Sequence, residues 1–90
     1  TRYTSKQLEN DVERFNARLE SAGSNNRFEW GHRNGCNAID VFTVPRKSGC
    51  VDRNLQCGTP RECSQLMETE FYRLLLEVQH ETENWQARFN

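Results

Sequence analysis

Cys57-Gly58-Thr59-Pro60-Arg61-Glu62 decides the architecture, because it opens a helix for which no stop signal follows before Asn90. Thr59 offers the side-chain oxygen that an N-cap needs. Pro60 suits the first helical position, where its missing N–H has no partner to lose, and Glu62 stands three residues past the cap, where it closes a capping box. About thirty helical residues at 1.5 Å each span roughly 45 Å. A compact chain of this length is about 31 Å across, so the helix is expected to outrun its own core.

Within that helix Cys63, Met67, Phe71, Leu74, Leu75, Val78, Trp85 and Phe89 fall on one stripe about 120° wide. Glu81 and Thr82 interrupt it, which argues against a continuous coiled-coil seam. Tyr72 and Leu76 lie on the opposite side.

Working backwards, Val51 to Gln56 reads as a short polar edge strand, set off by the breaker Pro45-Arg46-Lys47-Ser48-Gly49. Residues 37–44 form the central strand, with Ile39, Val41 and Thr43 on one face and Ala38, Asp40, Phe42 and Val44 on the other. Asn34-Gly35 is a hairpin signal that favours a type I′ turn, since both residues tolerate positive φ. Before it, residues 27–32 alternate, with Phe28 and Trp30 on one side. A first helix starts at Thr4, boxed with Gln7 and stapled by Tyr3 against Leu8. Leu8, Val12, Phe15, Leu19 and Ala22 then recur within about 80° of one face until Gly23 caps the end. The expected fold is α+β in the order α-β-β-β-α: a single domain, residues 1–90, with a three-stranded antiparallel sheet carrying two helices on one face.

Ninety residues with 34% hydrophobic content give a thin core, for which self-association is a natural source of extra stability. The net charge of −1 implies no nucleic-acid or membrane partner by bulk electrostatics. It is unevenly spread. Residues 23–58 carry five positive and three negative groups, and residues 59–90 three against six. No apolar run approaches the roughly twenty residues that span a bilayer, and the expected location is the cytoplasm. The four cysteines, Cys36, Cys50, Cys57 and Cys63, are separated by 13, 6 and 5 residues. That spacing holds no C-x-x-C pair for zinc, and without secretory character the thiols are expected to be free. No metal or cofactor is expected.

Two resemblances follow from these residues. The α-β-β-β-α order resembles the double-stranded-RNA-binding domain, but the start of the last helix offers only Arg61 where that family presents lysines, and Glu62, Glu68 and Glu70 follow. More closely, LENDVERFNARLESAG at residues 8–23, Asn37-Ala38-Ile39-Asp40-Val41-Phe42, and Gly58-Thr59-Pro60-Arg61-Glu62-Cys63 are similar to small bacteriophage and prophage reading frames. Those share a VERFN-x-RLE helix, an AID strand and a TPREC cap. This resemblance implies an accessory protein acting in a host cell, with no chemistry attached.

The chemistry-bearing residues agree. His32 and His80 are the two residues of a type suited to general-base work near neutral pH, and neither has a nucleophile or carboxylate at a recognisable spacing. The glycines are isolated turn residues rather than a phosphate loop. No catalytic residue is expected. The acidic set Glu68, Glu70, Glu77, Glu81 and Glu83 reads as a solvated helix face. The expected function is binding to a host protein or complex, as an inhibitor of a defence or regulatory system of the anti-CRISPR kind, by a homodimer formed through the last helix. Its expected interface is Tyr72, Leu76, Trp85 and Phe89. The alternative is a nucleic-acid-binding edge made by Arg33, Arg46, Lys47 and Arg53, which flank the hairpin turns.

Overall fold

A computed structural model describes residues 2–33 and 35–89; side chains are described through residue 82, residue 33 excepted. The elements are α1 (Ser5–Ser21), β1 (Asn26–Arg33), β2 (Cys36–Thr43), β3 (Arg53–Cys57) and α2 (Pro60–Phe89), the expected α+β order. The three strands form an antiparallel sheet in the order β1-β2-β3.

Both helix starts rest on capping boxes. Thr4 Oγ1 accepts from the Gln7 amide and Gln7 Oε1 from the Thr4 amide. Thr59 Oγ1 accepts from the Glu62 amide at 3.2 Å, and Glu62 Oε1 accepts from the Thr59 amide at 3.3 Å. α1 ends in a Schellman motif: the Ser24 amide returns to the Leu19 carbonyl and the Gly23 amide to that of Glu20. Gly23 sits at φ +84°, a conformation that costs glycine no Cβ clash. Arg33 pairs with Cys36, and Gly35 before Cys36 sits at φ +76°. β3 begins two residues later than the alternation indicates and ends at Cys57.

The register Phe28↔Val41, Trp30↔Ile39 and Ile39↔Leu55 puts these five side chains on one sheet face. Both helices cover that face. Leu8, Phe15 and Leu19 from α1 and Cys63, Met67, Phe71 and Leu74 from α2 close the core against Phe28, Ile39 and Val41. The Phe15 and Phe71 rings meet at 4.9 Å between centroids. Tyr3 packs on the same cluster, and its hydroxyl donates to Asp11 Oδ2, which also accepts from Ser64 Oγ at 2.7 Å; this joint ties the N-terminus, α1 and α2 together.

The molecule is elongated, 51 × 32 × 17 Å, with a radius of gyration of 14.5 Å. A compact chain of this size would have about 12 Å. The long axis is of the order of the helix itself, as the thirty residues of α2 require.

The expectation of four free thiols is overturned: Cys57 and Cys63 form a disulfide, and only Cys36 and Cys50 are free thiols. Cys57 closes β3 on the inner sheet face, and the cap turns the chain so that Cys63, in the first turn of α2, points at the same core. A Cα–Cα distance of 5.0 Å results.

Candidate functional site

The outer surface of α2 carries the exposed apolar side chains that the sequence places there. Tyr72 is 51% and Leu76 59% exposed. At i and i+4 they stand one above the other on the side of the helix away from Cys63, Met67 and Leu74. Leu75, half-buried, borders them and leads into a groove of about 460 Å³ between the helices, floored by Phe71 and Ala17 and walled by Arg18 and Ser21. The Arg18 guanidinium lies 4.6 Å from the Phe71 ring centroid, so one wall of the groove is a cation stacked on an aromatic floor. Trp85 and Phe89, the other half of the expected interface, have side chains outside the described residues.

The described members of the alternative basic set, Arg46, Lys47 and Arg53, do not converge. The side chain of Arg33 lies outside the described residues. Arg46 is committed to the outer sheet face, where Nη1 is 3.0 Å from Glu29 Oε2 and the guanidinium stacks 4.3 Å over Phe42. Arg53 points the other way, its Nη1 2.5 Å from Glu70 Oε1. Lys47 is exposed in the β2–β3 loop. Glu70 is therefore no part of a solvated acidic face: it is 6% exposed and held by Arg53, because its position turns it toward β3 rather than to water.

His32 is exposed, its ring edge-on to Trp30 at 5.4 Å, and His80 is exposed on α2. Among the described residues no group of three His, Cys, Asp or Glu side chains is placed to hold a metal ion. None of the helices, among the described residues, is long and apolar enough to cross a membrane. The titratable cluster with perturbed groups, Tyr3–Asp11–Ser64, is a joint between helices. Burial raises the Tyr3 pKa, while for Asp11 the opposing effect of burial is outweighed by hydrogen bonds from Tyr3 and Ser64 and by Arg14, and the pKa falls.

Comparison with protein-family models, with curated proteins and with solved structures finds no match to this chain.

Sequence reasoning missed a further feature, on the free edge of β1. Asn16 of α1 is turned toward that strand, where its side-chain amide meets both backbone polar groups of Phe28. Beyond it lies a second depression, of about 400 Å³, between α1 and β1. The signal available in the sequence was the like-charged pair Glu9 and Glu13, four residues apart on α1 with no cation between them.

Proposed function

We propose that this chain is a non-enzymatic binding protein that docks on a partner protein through the outer surface of α2. The observation that carries the reading is the pair Tyr72 and Leu76, each more than half exposed and continuous with the Phe71–Leu75 groove. A lone exposed leucine means nothing, but an aromatic and an aliphatic side chain adjoining an apolar groove make the kind of patch that marks an interface. Tyrosine suits such a place because it combines a large apolar ring with a polar tip. In this reading, which the likeness of residues 8–23, 37–42 and 58–63 to phage and prophage reading frames supports, the partner is a host protein or complex and the role is inhibition of a defence or regulatory assembly, such as a CRISPR effector. The nucleic-acid reading stands second, since Arg46 and Arg53 are engaged within the chain.

The test is retention of host-lysate proteins on the immobilised full chain and on Tyr72→Glu/Leu76→Glu, with salt raised from about 0.05 to 0.5 M. A discrete protein held by the unmodified chain across that range, and lost with the double variant, is the expected result. Binding that falls steeply with log salt and is unaffected by the variant would replace this reading with the nucleic-acid one.

A further inference from the structure

The free edge of β1 has its own chemistry. Backbone groups alternate along an antiparallel edge strand, and those of Phe28 point away from β2, since both are taken by Asn16. The N–H and C=O of Trp30, two residues on, therefore point outward too, and among the described residues nothing pairs with them. The depression of about 400 Å³ opens at this place. Its apolar lining includes Val12, Trp30 and Phe42, and its carboxylates are Glu9, Glu13 and Glu29, with no cation among the lining residues. Glu9 and Glu13 are like charges at i and i+4, an arrangement that disfavours the helix. Neither has an ion-pair or side-chain hydrogen-bond partner among the described residues.

The protein itself shows what such a surface takes. At the outer rim the guanidinium of Arg46 lies over the Phe42 ring and against the Glu29 carboxylate, a ring face and an anion sharing one planar cation. Glu9 and Glu13 beside Trp30 repeat those ingredients without a cation. We propose that the β1 edge at Trp30 is a binding site for an extended, arginine-bearing segment of a partner protein. The segment pairs with the outward amide groups of Trp30 as an added strand and lays a guanidinium between Trp30 and the carboxylates of Glu9 and Glu13. An extended segment fits because strand addition satisfies both backbone groups and sends alternate side chains to the two sides of the edge. Arginine fits better than lysine because its flat, weakly hydrated head stacks on rings and bridges carboxylates. Phosphate-bearing ligands are repelled by Glu9 and Glu13, since Glu29 alone of the three carboxylates is already paired, with Arg46. Asn16 fixes the register, since the edge is already filled at Phe28. This site is separate from the α2 surface and does not depend on it.

The test is an amide and indole NMR titration of the full chain with a capped heptapeptide of alternating valine and arginine. The same peptide with glutamate for arginine, and free arginine, serve as controls. Shifts centred on the Trp30 indole and the amides of Trp30 and Gly31 are expected. Affinity should fall at least about tenfold in Glu9→Gln/Glu13→Gln, exposed positions that the fold tolerates, and stay within about twofold in Glu68→Gln/Glu81→Gln. The proposal is overturned by no response up to about 1 mM peptide, by equal weakening in both variants, or by free arginine binding as tightly as the peptide.

Discussion

The side-chain amide of Asn16 replaces a neighbouring strand for Phe28: Nδ2 donates to the Phe28 carbonyl at 2.9 Å and Oδ1 accepts from the Phe28 amide at 2.7 Å. An unpaired edge strand is a template for aggregation, and here α1 covers one position of it with a group that matches the peptide unit donor for acceptor. Asn16→Ala is expected to cost about 1–3 kcal/mol, because it strands two half-buried backbone groups. Asn16→Asp keeps the acceptor, sets a carboxylate against the Phe28 carbonyl, and should cost at least as much. Urea unfolding measures both. A neutral Asn16→Ala would mean that water replaces the amide fully.

Thr59→Ala should lower stability by about 1 kcal/mol, since it removes the acceptor for the Glu62 amide at the start of the longest helix. Glu62→Ala should cost less, because the amide of Thr59 that it leaves is exposed. The order of the two midpoints in urea checks the assignment of donor and acceptor.

These caps were legible from short stretches, as were the strand faces and the exposure of Tyr72 and Leu76, because each depends on residues within one or two turns of each other. The Cys57–Cys63 bond and the burial of Glu70 were not. Reading Cys57 as the last inward residue of a strand needs the end of β3 placed to a single residue, and the alternation of residues 51–56 places it one residue early. Glu70 looks like any other acid on an acidic helix until Arg53 is known to lie on the inner face of β3. The Asn16–Phe28 contact and the groove beside it join α1 to β1 across a loop, a distance that periodicity does not encode.

Thiol titration under denaturing, non-reducing conditions should therefore find two groups, Cys36 and Cys50, and four after reduction. The closed loop is short, so its chain-entropy contribution is about 2 kcal/mol, and Cys57→Ser/Cys63→Ser should lose roughly that amount. The loss should match the effect of reductant on the unmodified chain. Four thiols before reduction would refute the bond.

The Tyr3–Asp11–Ser64 joint makes stability depend on pH at both ends. The Asp11 carboxyl titrates below its ordinary 3.8 in the folded chain, so its contribution is present above that value and is lost as pH falls through the lower folded one. Tyr3 titrates above its ordinary 10.0, chiefly through burial and then through Asp11, so its contribution is present below 10.0 and is lost as pH rises through the higher folded value. The difference in urea midpoint between the unmodified chain and Asp11→Asn should be flat from about pH 5 to 8 and shrink in acid. For Tyr3→Phe it should shrink in alkali instead. A difference that grew in acid would reverse the sign of the Asp11 effect.

Self-association is the last expectation, and the helix decides it. Tyr72 and Leu76 are four residues apart, so two α2 helices packed antiparallel about a two-fold axis would set each Tyr72 against the partner's Leu76. A stable interface buries about 800 Å² on each side, and an aromatic side chain supplies at most about 250 Å² of that. Tyr72, Leu75 and Leu76 thus cover part of the need, and Trp85 and Phe89, later in the sequence, are the residues expected to supply much of the rest. A dimer at micromolar concentration is expected by light scattering, converted to monomer by Leu76→Glu with no loss of helix content; a host protein that docks on Tyr72 and Leu76 must displace the second copy, so its binding should convert the dimer to monomer as well. If the unmodified chain is a monomer at about 50–100 μM, the α2 surface is not closed by a second copy under the conditions where it should be. Its exposure would then be left for a different protein, and the lysate experiment alone would decide what binds it.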